Sequence, residues 1–158
     1  FNICETIVQT VNTLEGTAAK KEISFVLDYN PQKERLVEAD ESKIHQVLYN
    51  LIDNAVKFSH NNSEIKISLR KKGAKVFVSV KDSGIGIPKE SLNKVFDRFY
   101  KTDISRGKDK RGTGLGLSIS KEIVQAHNQT INVVSTVDVG TEFVFTLKYH
   151  SKKQDASS

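Results

Sequence analysis

His45-Gln46-Val47-Leu48-Tyr49-Asn50-Leu51-Ile52-Asp53-Asn54-Ala55-Val56-Lys57-Phe58-Ser59 is the stretch from which the fold of this chain can be read. At about 100° per residue, Ile44, Val47, Leu48, Leu51, Ala55 and Phe58 fall on one stripe of a helix. Asp40 offers that helix an N-capping oxygen, and the pattern runs to about Ser59. The stripe predicts packing against a sheet. Asn50, Asn54 and Lys57 fall on a second stripe beside it. Asparagine is a mediocre helix former, so two of them one turn apart with a lysine in line invite an explanation. They suit a divalent cation, as neutral oxygen ligands, and a phosphate, through the lysine. A chance polar face is the plain alternative.

Outward from this helix the periodicity alternates between helical and strand-like. Ile3, Ile7, Val11 and Leu14 predict an amphipathic helix over Phe1 to about Lys20. Ile23, Phe25 and Leu27 predict a strand stopped at Asn30-Pro31, with a short extended piece at Leu36 to Ala39. Ile65, Ile67 and Leu69 alternate, as do Val76, Val78 and Val80, and Lys72-Gly73 between them predicts a hairpin. A short helix is expected around Ser91 to Phe96, then a long polar loop, then a helix from Gly112 to about His127. Two last strands are expected near Ile131 to Thr136 and Thr141 to Lys148. This order predicts an α+β fold: a two-layer sandwich whose mixed, mostly antiparallel sheet of about five strands carries three main helices on one face. One domain over residues 1–149 and a flexible tail over 150–158 are expected.

Composition bounds the function. With 158 residues, 37% of them hydrophobic and 27% charged, the chain can bury one sizeable core and is not of the disordered class. No apolar run approaches the length of a membrane span. Cys4 has no second cysteine to pair with, which suits a reducing compartment, and it reads as a small residue on the first helix. The net charge is +5, but five basic residues against two acidic ones lie between Lys101 and Arg111. A local basic loop of that kind suits a triphosphate as well as a phosphodiester. His45, His60, His127 and His150 read as solvent-exposed polar residues.

Two glycine clusters follow strand or open helix. Asp82-Ser83-Gly84-Ile85-Gly86-Ile87-Pro88 comes directly after a strand, where glycines let backbone approach a flat ligand and a carboxylate can accept from an exocyclic amine. Common turn chemistry explains the same letters. Gly112-Thr113-Gly114-Leu115-Gly116-Leu117 opens a helix whose Leu117, Ile119, Ile123 and Val124 are expected to face inward, and amides at a helix N-terminus attract anions. Gly107 to Thr113 has P-loop glycine spacing, but Thr113 stands where that motif needs lysine and no strand precedes it. Neither cluster fits the dinucleotide fingerprint.

In combination and in this order, the asparagine helix, the Asp82 loop, Val95-Phe96-Asp97-Arg98-Phe99-Tyr100 and the Gly112 to Leu117 cluster resemble the catalytic domain of histidine kinases, within the gyrase, chaperone and kinase ATPase superfamily. The resemblance runs from the first helix to Gly140-Thr141-Glu142-Phe143. It implies ATP and Mg²⁺ as cofactors, with Asn54 the principal metal ligand and Asn50 assisting. Lys57 would contact phosphate, Phe58 would flank the nucleotide, and Asp82 would accept the adenine amino proton, with Gly84 and Gly86 making room for the base. Ile87, Phe99, Tyr100 and Thr141 would line the same site. Lys101 to Arg111 would form a mobile lid, Lys101 reaching the terminal phosphates as a catalytic group beside Asn50. Gly112, Thr113, Gly114, Leu115, Gly116 and Leu117 would hold the phosphates.

The resemblance also implies partners. The family's phosphorylated histidine lies on a separate dimerisation domain of the same homodimeric protein, and a response regulator receives the phosphoryl group. Nucleic acid and direct membrane contact by this domain are not expected, and the domain would be the cytoplasmic part of a membrane-anchored sensor. Departures from the family pattern are local. Phe58 stands where tyrosine is common, Lys101 where arginine is frequent, and Asn128-Gln129 where two glycines are usual, although asparagine tolerates the left-handed cap. Hydrolytic members of the superfamily carry a glutamate one turn before the metal-binding asparagine; here Asn50 occupies that place, and an amide is no base.

Overall fold

The computed structural model of the chain describes residues 1–30, 35–97 and 116–151. Helix α1 spans Ile3–Ala19 and strand β1 Ser24–Asp28. Strand β2 is the two-residue Val37–Glu38, and helix α2 spans Glu41–Phe58. Strands β3, Glu64–Lys72, and β4, Lys75–Asp82, form the hairpin that Lys72-Gly73 predicts, with Gly73 at φ +62°. Helix α3 spans Gly116–Ala126, and β5, Ile131–Thr136, and β6, Gly140–Tyr149, close the described chain.

The six strands of the described residues form one mixed sheet, one more than expected because the extended piece at Val37–Glu38 pairs with Lys148 and Tyr149. Among the described strands only β1 and β3 run parallel; β3–β4, β4–β6, β5–β6 and β2–β6 are antiparallel. The period of two then decides the faces. Ile65, Ile67, Val76, Val78, Phe143, Phe145 and Leu147 point into the core, while Lys66, Lys81 and Lys148 point out. Onto the inward face pack Ile7, Val11 and Leu14 of α1, the α2 stripe, and Ile123 and Val124 of α3. The α2 stripe is wider than its pattern suggests, since Ile52 and Val56 are also fully buried while Phe58 is only half-buried.

Asp40 caps α2 as expected, its Oδ1 accepting from Lys43 N at 3.2 Å. The short helix expected around Ser91 to Phe96 is instead a 3₁₀ turn over Lys89–Ser91 followed by hydrogen-bonded turns. Val95 is buried and Phe96 packs edge-on against Phe143, with ring centres 6.0 Å apart, so hydrophobic anchoring replaces helix formation there. Asn128 adopts φ +59°, the left-handed cap that its side chain tolerates, and Gln129 N–H bonds back to Val124 O at 3.1 Å. The start of the helix expected from Gly112, and the loop between Lys101 and Arg111, lie outside the described residues.

Two of the histidines are more than exposed polar residues. His127 sits between helices: its Nδ1 donates to Ile123 O at 2.8 Å and its Nε2 accepts from Asp40 N at 3.1 Å. It therefore links the end of α3 to the cap of α2. His150, expected to begin the flexible tail, donates through its backbone N–H to Leu36 O at 2.9 Å and pairs through Nδ1 with Glu38 at 3.2 Å. Cys4 is buried on α1, and burial pushes its thiol up from the ordinary range. No helix among the described residues is long and apolar enough to cross a membrane.

Candidate nucleotide site

Helix α2 delivers Asn50, Asn54, Lys57 and Phe58 on the half-buried side that the core stripe leaves free. Asn50 reaches toward α3. Its Nδ2 donates to Gly116 O at 3.2 Å and to Ser120 Oγ at 3.4 Å, and Ser120 Oγ–H in turn bonds Gly116 O at 2.9 Å. The amide nitrogen is thus committed to the first turn of α3, and no described residue donates to its oxygen. Asn54 makes no hydrogen bond with any described residue. Lys57 is engaged: its ammonium lies 3.0 Å from Asp53 one turn earlier, so a phosphate reaching it has to compete with that carboxylate.

Strand β4 ends in the second half of the site. Asp82 is only 6% exposed, and its Oδ1 accepts from Gly84 N at 2.9 Å and Thr141 N at 3.3 Å. No described residue donates to Oδ2. Burial raises its pKa above the ordinary aspartate value of 3.8, and the two amide hydrogen bonds and the nearby His60 only partly offset the effect. One oxygen is therefore anchored to the fold and the other is available to a ligand donor.

The glycines of this loop have a packing reason that the sequence did not show. A Cβ on Gly84 would collide with the backbone carbonyl of Phe58, and one on Gly86 with that of Thr136. Gly86 also has φ +75°. What each glycine admits is protein backbone, which lets Ile85 N bond Phe58 O at 3.1 Å and Asp138 N bond Ile85 O at 2.9 Å. Gly86→Ala is accordingly expected to destabilise the domain by about 2–4 kcal/mol, from left-handed strain plus overpacking. Urea unfolding should show a lower midpoint at an unchanged slope.

Ser135 is a further contributor that the sequence reading missed. Its Oγ accepts from Ile87 N at 2.7 Å and donates to Gly140 O at 2.9 Å, so the hydroxyl of Thr141, 2.7 Å away, is the donor to it. Thr141 thereby holds Asp82 through its amide while its hydroxyl braces the loop. No sequence pattern marks a single strand serine; only the pairing of Ser135 with Thr141 across β5 and β6 gives it a role. Ser120, fully buried, was likewise hidden, because the inward face of α3 was expected to carry Ile119, which is half-buried. Ile87 is half-buried against the core, and Gly116 and Leu117 stand at the start of α3. Phe99, Tyr100, Lys101, Gly112, Thr113, Gly114 and Leu115 lie outside the described residues.

The donor set fits a hard cation that keeps waters and phosphate oxygens as its other ligands. No described residue engages the Asn54 amide or the Asn50 oxygen, and both groups are neutral. No group of three or more His, Cys, Asp or Glu among the described residues is placed to hold a metal by itself.

Comparison with known proteins defines the class first. The family model for histidine kinase-, DNA gyrase B-, and HSP90-like ATPases matches residues 39–151, and the chain belongs to that family, on the histidine kinase side. The sensor histidine kinase WalK of Bacillus subtilis (strain 168) is 45% identical over 127 residues, 79% of this chain and 21% of WalK. The chain thus spans about a fifth of that relative's length. The catalytic domain of histidine kinase ThkA superposes with a TM-score of 0.80 at 35% identity, over 94% of this chain and 93% of that one. ThkA in complex with the response regulator protein TrrA matches with a TM-score of 0.75 at 33% identity, covering 97% of this chain and 42% of that one.

Proposed function

We propose that this chain binds Mg²⁺–ATP and transfers the γ-phosphoryl group to a histidine carried by the dimerisation domain of the same homodimeric sensor protein. Asp82 Oδ2 accepts from the adenine amine, and Phe58 and Ile87 flank the base. Asn54, assisted by Asn50, holds the metal, which when bound neutralises phosphate charge; Lys57 adds a cation once it leaves Asp53. Lys101 and the amides of Gly112 to Leu117 hold the terminal phosphates. The imidazole nitrogen of the acceptor attacks the γ-phosphorus, the bond to the β-phosphate oxygen breaks, ADP leaves and the imidazole gives up its proton. A response regulator then takes the phosphoryl group, a reading supported by the related ThkA in complex with the response regulator protein TrrA. The parent protein is, on this reading, a membrane-anchored sensor with this domain in the cytoplasm.

The observation that carries the proposal is Asn50. Phosphoryl transfer is mostly positioning and charge neutralisation, so bound ATP is inert until a nucleophile lies in line. The place from which a carboxylate would activate water holds instead an amide whose nitrogen is bonded to Gly116 O. ATP is thereby kept for an incoming histidine. Radiolabelled ATP should label neither this chain alone nor the separated dimerisation domain alone, and the mixture should give acid-labile phosphohistidine on the latter. Rapid phosphate release by this chain alone would make it an ATPase, and acid-stable label would make it a serine kinase. Nucleotide binding without any label would make it a sensing module.

A further inference from the structure

The last four carbonyls of a helix have no partner within it, and in α2 each finds one elsewhere. Ser59 Oγ–H donates to Ala55 O at 2.6 Å. The Lys21 ammonium donates to Val56 O at 2.8 Å and to Lys57 O at 3.1 Å. Ile85 N–H donates to Phe58 O at 3.1 Å. The end of α2 is therefore held by its own C-cap serine, by a lysine from the turn between α1 and β1, and by the glycine loop that carries Asp82.

Lys21 is itself held in place. Its backbone N–H bonds Ala18 O at 3.0 Å, and its carbonyl accepts from Asn62 N at 2.9 Å. Main chain and side chain thus both engage the segment around the end of α2. A cation at a helix C-terminus also meets the negative end of the helix dipole. There is no slack between that end and the glycine loop, because Phe58 O already lies where a Gly84 Cβ would have to be. The loop has to follow any displacement of the last turn of α2, and Asn54, Lys57 and Phe58 ride on that turn.

We propose that Lys21 is a positioning residue for the nucleotide site: by bonding the Val56 and Lys57 carbonyls it sets the last turn of α2 and, through Phe58 O and Ile85 N, the loop that presents Asp82. The inference rests on the nucleotide reading of the site, since what is positioned is the adenine acceptor. On this reading Lys21 acts through α2 and not by contact with the nucleotide.

The test compares Lys21→Met, which keeps the stem and removes the donors, with Lys21→Arg, which restores donors and charge. Metal-free ADP, which probes the adenine end of the site without Mg²⁺, should bind about tenfold more weakly to Lys21→Met, the equivalent of about one to two lost hydrogen bonds. Hydrogen exchange at the Ile85 amide should accelerate by about tenfold or more, while the amides of Val47 and Leu48 in mid-α2 keep their protection. Lys21→Arg should recover most of both. If Lys21→Met lowers the melting temperature yet leaves ADP affinity and Ile85 exchange unchanged, Lys21 is an ordinary helix cap and the inference is overturned. If Lys21→Met does not fold, the milder Lys21→Gln decides by the same two readouts. Failure of the functional reading would appear separately, as absence of ADP binding by the unsubstituted chain, and would overturn this inference with it.

Discussion

Asp82→Asn is expected to weaken ATP binding by about 2–4 kcal/mol, because an amide nitrogen at the Oδ2 position meets the adenine amine donor to donor. The fold should be indifferent to the change. Asn can keep an oxygen where Oδ1 accepts from Gly84 N and Thr141 N, and the substitution removes a charge that burial disfavours. Unliganded stability should therefore be unchanged or slightly higher, and isothermal titration paired with thermal unfolding separates the two effects. Equal losses of affinity and apo stability would make Asp82 a structural turn residue.

The direction of the Asp82 shift adds a pH dependence. Its folded pKa is raised above 3.8, so the folded state favours the protonated acid. Its contribution to stability is present below 3.8 and is lost as pH rises through the raised value. Ligand affinity runs the other way. As pH falls through the raised pKa, Oδ2 gains a proton and ceases to be a free acceptor, so ADP affinity should decline at a higher pH than for an ordinary aspartate. In Asp82→Asn that decline should disappear.

Asn54→Ala is expected to reduce phosphoryl transfer to the dimerisation domain by about 10²–10³-fold, the scale on which removing one electrostatic contact to the transferring group acts. Asn54 has no hydrogen-bonding partner among the described residues and lies outside the core stripe. Its truncation should therefore leave the unfolding free energy within about 0.5 kcal/mol of the original, as for other changes outside the core. A second readout avoids turnover altogether: Mg²⁺ should tighten ATP binding to the unsubstituted chain and no longer do so in Asn54→Ala. Retention of the full Mg²⁺ effect would remove Asn54 from the metal site.

Much of this was legible in the amino-acid order. Period-two alternation around Lys72-Gly73 and the stripe of α2 determined the hairpin, the central helix and the side of that helix left outside the core, because both patterns are local consequences of backbone geometry. The Asp40 cap and the left-handed Asn128 were equally local. Ser91 to Phe96 misled because an apolar-polar run of that length fits a short helix or a set of turns alike, and contacts of Phe96 with Phe143 decided between them.

Tertiary structure alone decided which groups share bonds across the chain. Asn50 with Ser120, Ser135 with Ile87, and Lys21 with the end of α2 are pairs separated by 70, 48 and 35 or more residues. A side-chain hydrogen bond needs its partners within about 3.5 Å and suitably aligned, and no local periodicity encodes a meeting of that kind. The sequence by itself determined which residue types stand on the exposed stripe and in the glycine loop. The packing of α2 and the loop decided that Gly84 and Gly86 admit neighbouring backbone, that Asp82 commits one oxygen to the fold while no described residue donates to the other, and that Asn50 commits its nitrogen to α3, since each depends on how closely separate elements approach.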